Sequence, residues 1–146
     1  MNFFLAARDA AYLSVKYPRK HPMDSKQREI GEKLRKMCSS EAAEWLLENF
    51  PEDGCVYINK RTWKKEEQLR LAEHFLRRVP HANGQCYDSL LSIMALPKFI
   101  DVMMKYIPNN DSDRNLLRYY LYPVLQIFSK NDKDQTSIES IKSILL

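Results

Sequence analysis

The chain has 146 residues, 45% hydrophobic and 29% charged, with a net charge of +4. That length and balance give one domain with a buried core and exclude wholesale disorder. With only 3 glycines it is poor in the tight turns of sheets and phosphate loops, and an excess of four charges is too mild for a dedicated nucleic-acid binder.

The first helix is expected over 2–16, with Phe3, Ala7, Ala10, Ala11 and Leu13 among its apolar residues. Tyr17-Pro18-Arg19-Lys20-His21-Pro22 follows as a stiff basic connector. A second helix over 24–37 carries a thin stripe of Ile30, Leu34 and Met37, as an outer helix with one buried edge does. Ser39 or Ser40 is the expected cap of a third helix over 41–49, with Ala42, Trp45, Leu46 and Phe50 facing inward. Pro51-Glu52-Asp53-Gly54 reads as a turn, and Cys55-Val56-Tyr57-Ile58 as a short extended segment.

The strongest amphipathic pattern lies over 62–78, where Leu69, Leu71, Ala72, Phe75, Leu76 and Val79 give one broad apolar face. A fifth helix carries Tyr87, Leu90, Leu91, Met94 and Leu96. Pro97 is placed to open a sixth, apolar nearly all round over 99–107 and therefore sandwiched between neighbours. Asp111 or Ser112 is the expected cap of a seventh helix, built on Leu116, Leu117, Tyr120, Leu121, Val124, Leu125 and Phe128, which Pro123 should kink or split. Thr136-Ser137-Ile138-Glu139 fits a capping box and predicts a short last helix ending at Leu146. Apolar residues at both ends read as a piece of a larger protein, or as termini docked on the body or on a partner.

Pro18, Pro51, Pro80 and Pro108 each follow an apolar run and stand 33, 29 and 28 residues apart. A stop repeated at that interval predicts an all-α domain over 1–146, with seven or eight helices stacked as antiparallel hairpins in an irregular, solenoid-like bundle. Leu71-Ala72, Phe75-Leu76, Val79-Pro80, Ala82-Asn83, Tyr87 and Leu90 resemble the junction between two tetratricopeptide-type repeats, and HEAT-type hairpins fit equally well. That resemblance implies a curved helical scaffold that binds a protein segment.

The chemistry of an enzyme is not visible. GxGxxG, GxxxxGK[ST] and HExxH motifs are all missing, and His74, His81 and Cys86 have no recognised metal-ligand spacing. The expectation is a non-enzyme with no metal and no cofactor. Cys38, Cys55 and Cys86 are too few and too scattered for a disulfide framework and read as small buried residues. No apolar run is long enough to span a bilayer, and the apolar opening lacks the basic start of a signal peptide. The expected location is cytoplasmic or nuclear.

Residues 1–80 hold 16 Lys+Arg against 12 Asp+Glu, and 81–146 hold 7 of each, so the excess lies in the first half. Within it, Lys60, Arg61, Trp63, Lys64, Lys65 and Arg78 are the candidate partner-binding residues. Arg70 and Arg77 are set aside, because Glu66–Arg70 and Glu73–Arg77 have the spacing of helical ion pairs. The remaining cations suit an acidic peptide or helix of a protein partner. A phosphate backbone is the alternative partner, and a solvated basic end with Trp63 packed inward is the competing structural reading. The sequence therefore points to a protein–protein interaction scaffold in a multi-protein assembly, with a nucleic-acid-associated module as the alternative.

Overall fold

Ile30 and Leu34, one turn apart on one face, bury the inner edge of α1 (Ser25–Lys36) while its other side is charged and exposed. The chain is described from residue 25 to residue 146 by a computed structural model. The helix expected over 2–16 and the basic connector after it lie outside the described residues.

Helix α2 (Ser39–Asn49) buries Ala42, Ala43 and Leu46 and stops at Phe50, before Pro51. It starts at Ser39, and neither serine caps it: the Ser39 hydroxyl accepts the backbone N–H of Lys64 instead, at 3.0 Å. The expected extended segment is a 3-10 helix, Gly54–Lys60, with Cys55 and Ile58 one turn apart and both buried. Gly54 permits the sharp entry. A Cβ there would stand 3.0 Å from the Phe50 Cβ and 3.3 Å from the Phe75 ring.

Helix α3 (Lys65–Leu76) buries Leu71, Ala72, Phe75 and Leu76. Leu69 departs from its expected inward place, at 39% exposed, and Glu67 occupies the inner face instead. A carboxylate in the first turn sits where the helix dipole favours it. The short α4 (Gln85–Leu91) packs mainly on the 3-10 helix, and α5 (Leu96–Met103) packs against both α3 and the last helix. Pro97 is the second residue of α5, where a missing N–H costs nothing, and Met104–Tyr106 prolongs α5 as a 3-10 turn up to Ile107-Pro108.

Helix α6 (Asp111–Phe128) runs through Pro123 as one helix, so the expected split does not occur. Proline inside a helix costs about 3 kcal/mol. Leu117 and Leu121 before it and Val124 and Leu125 after it are all fully buried. Each is worth roughly 1.5–3 kcal/mol, so the packed face outweighs the missing bond.

Two caps fall earlier than expected. Asn110, not Asp111 or Ser112, caps α6 by accepting the Asp113 N–H at 2.8 Å. In α7 (Asp132–Leu145), Asn131 accepts the Asp134 N–H at 2.9 Å, and the Asp134 carboxylate accepts the Lys130 N–H at 2.8 Å. This resembles a capping box written in Asn and Asp, with the return bond going to the N–H of Lys130, one residue before the cap. Thr136 is inside the helix, its hydroxyl donating back to the Asp132 carbonyl.

The core runs from α1 through the 3-10 helix to α7. In the second half, Phe99, Ile100, Met103, Leu117, Leu121 and Leu125 are buried as expected, while Met104 is half-buried. Among the described residues the regular structure is seven α-helices and two 3-10 segments, with no strand: an all-α helical bundle.

Candidate functional site at the head of α3

The six cationic and aromatic residues singled out in the sequence occupy three different situations. Arg61 turns into the molecule. Its Nη1 donates to the carbonyls of Leu34 (2.8 Å) and Met37 (2.6 Å), and its Nε donates to the Thr62 carbonyl. Leu34 stands in the last turn of α1 and Met37 just past its end, where carbonyls lack the full set of helical partners; the Leu34 carbonyl also accepts the Met37 N–H at 3.3 Å. Its guanidinium also stacks on Trp63, 4.9 Å from the ring centroid. Trp63 is itself 6% exposed and donates its indole N–H to the Ile58 carbonyl. Arg61 ties the end of the 3-10 helix to the end of α1, and Trp63 ties the segment before α3 back to the 3-10 helix.

Lys60, Lys64 and Lys65 are the accessible members. Lys60 is half-buried along its stem, and its carbonyl accepts from Arg35 Nη1 at 2.9 Å. Gly31 allows that approach, because a Cβ there would meet Arg35 Nη1 at 3.1 Å and the Lys60 Cβ at 3.3 Å. Lys64 and Lys65 are exposed at the start of α3. Arg78 lies past the far end of that helix, 4.0 Å from Glu52, and is not brought to the others. An exposed pair at that distance contributes little.

The pairings used to set Arg70 and Arg77 aside do not form. Glu73 instead accepts from Lys105 and from the Tyr106 hydroxyl, across to the segment after α5. Those bonds hold the Glu73 carboxyl below its usual range, the Lys105 bond first. Arg70 and Arg77 are exposed and make no ion pair among the described residues.

Around the head of α3 lies a cleft of about 780 Å³, lined by Arg35, Lys60, Arg61, Trp63, Gln68 and Ile93 with Asn59, Thr62 and Ser92. No carboxylate or imidazole is among these residues. Its hydroxyls therefore have no base to activate them, and the Ser92 Oγ donates to the Ser89 carbonyl. The lining suits an anion held by cations and amide groups. A second cleft, of about 580 Å³, adjoins it at Gln68 and passes between the starts of α3, α5 and α7. Sequence reading missed Arg35, Lys98 and Lys133, which only the fold brings near Lys60 and Lys65.

The histidines and cysteines belong elsewhere. His74 Nε2 contacts the Pro51 carbonyl (2.7 Å) and His81 Nε2 the Phe75 carbonyl (2.8 Å). Burial holds the His81 pKa below its usual value. The Cys55 and Cys86 thiols are buried against each other, and that hydrogen bond, with burial, pushes the Cys86 thiol well up. Cys38, expected to be buried, is exposed and donates to Glu41. Among the described residues no group of three or more His, Cys, Asp or Glu is placed to hold a metal ion. Nor is any described helix long and apolar enough to cross a membrane.

No family model matches the chain, and no curated protein or solved structure does either. The tetratricopeptide-type resemblance of 71–90 therefore carries no family assignment.

Proposed function

We propose that the chain is a non-catalytic protein-interaction domain of an intracellular assembly, and that an acidic segment of a partner docks at the head of α3. One observation carries this reading: a cleft lined by Arg35, Lys60 and Arg61 without a single carboxylate, in a chain whose whole excess is four charges. A concentration of one sign in a concave surface steers an oppositely charged partner and orients it on arrival. Carboxylates of the partner meet Lys60, Lys64 and Lys65 at the rim, and its apolar atoms lie against Ile93.

Nucleic acid is the second reading, supported by the same cations. Single strands are held largely by stacking bases on exposed aromatic rings. Trp63, the one aromatic residue in the cleft wall, is buried and stacked under Arg61, so no such platform is offered.

The test is a pull-down from cell extract with the wild type and with Lys60→Glu, Lys64→Glu and Lys65→Glu combined. Arg61 is left in place because the fold uses it. Circular dichroism should show a native helical spectrum for the variant, and its acidic partners should be lost. A folded variant that retains every partner contradicts the reading.

A further inference from the structure

The second cleft is built differently from the first. Its floor is apolar: Leu69 of α3, 39% exposed, faces the same opening as Met94 and Pro97. Its rim carries Lys65 of α3, Lys98 of α5 and Lys133 of α7, with Asp101 as the one carboxylate in the lining. None of these three lysines makes an ion pair among the described residues. Each also stands in the first turn of its helix, where a cation opposes the dipole. Folding therefore gives no reason for three lysines here.

The two clefts meet at Gln68, which lines both. Together their walls hold six cations (Arg35, Lys60, Arg61, Lys65, Lys98 and Lys133) against one carboxylate (Asp101). That local excess of five is larger than the excess of four over the whole chain. Among the described residues, the walls of these two adjoining clefts are strongly biased toward positive charge.

We infer that the second cleft is the specificity half of the docking surface: it takes a large apolar side chain of the acidic partner segment, with neighbouring carboxylates held by Lys65, Lys98 and Lys133. The inference rests on the acidic-partner reading above and adds the anchor that charge alone does not supply. Met94 suits this role, since an unbranched thioether conforms to apolar groups of different shape. Charge on the rim sets the rate of encounter, and burial of the anchor sets the lifetime.

The experiment is a selection from a display library of short random peptides on the immobilised chain, repeated on Leu69→Ser and on Lys98→Glu with Lys133→Glu. Leu69 is exposed enough, and the two lysines free enough, for these variants to fold, which circular dichroism checks. On the wild type, enriched peptides should combine several Asp or Glu with one Leu, Ile, Phe or Met. Resynthesised without that residue, they should bind at least about tenfold more weakly. On Leu69→Ser the apolar preference should vanish while the acidic preference stays, and on the double-lysine variant both should weaken. Acidic peptides enriched without an apolar preference would overturn the anchor and leave the acidic-partner reading standing. Enrichment of neutral or basic peptides, or none at all, would overturn both.

Discussion

Every hydrogen bond shown for the Arg61 guanidinium goes to a backbone carbonyl, two of them at the end of α1. Removing such a side chain takes a charged donor from two part-buried carbonyls, and bonds of that kind are worth about 1.5–3 kcal/mol each. Arg61→Ala should therefore lower the thermal midpoint by several degrees, and Arg61→Lys should recover only part of the loss, because an ammonium cannot reproduce the Nε bond to the Thr62 carbonyl or the planar stack on Trp63. An unchanged midpoint in Arg61→Ala would show that the residue is an ordinary surface cation. The run Lys60-Arg61-Thr62-Trp63-Lys64-Lys65 was legible in the sequence as a basic cluster with an aromatic residue in it. That Arg61 differs from its neighbours was not, because the carbonyls it meets are 27 and 24 residues earlier. Leu69 departs from its apolar pattern for a related reason. A leucine at helical spacing satisfies an apolar pattern, and only the packing of Glu67 in its stead shows which face turned inward.

Caps decide where α6 and α7 begin, and both use Asn followed three residues later by Asp. Asn131 serves α7, so Asn131→Ala should cost about 1 kcal/mol. Thr136→Ala should be neutral or slightly stabilising, since Thr136 is interior and alanine is the better helix former. Chemical denaturation of the two variants ranks them, and the opposite order would restore the helix start to Thr136. The Thr136–Glu139 match shows how a short motif misleads: the right residue types recur by chance inside a helix that has already begun. The earlier start puts Lys133 in the first turn of α7, and only the fold places it beside Lys65. Helix existence and type were legible for most elements, whereas the 3-10 geometry of Gly54–Lys60 was not, since four apolar residues in a row fit strand and tight helix alike.

Among the described residues, one buried core supports a surface on which two adjoining clefts are walled mainly by cations. The all-α architecture was readable from the scarcity of glycine and the recurrent proline stops, because both act locally on the backbone. The clefts were not readable, because their walls join residues from α1, the 3-10 helix, α3, α5 and α7, and no local pattern records that convergence. The same gathering makes a charge-based prediction for the entire chain. An acidic peptide bearing one apolar residue should bind, while a single-stranded oligonucleotide at near-physiological salt should bind weakly at most, since phosphate contacts alone fade steeply with salt. Amide chemical-shift mapping of the labelled chain with each ligand decides between them most directly. The account predicts that the peptide shifts amides over 60–69, 93–98 and 133, and that the oligonucleotide shifts few. Salt-resistant shifts caused by the oligonucleotide, or peptide shifts centred on the exposed Leu116 and Tyr119 of α6, would contradict it.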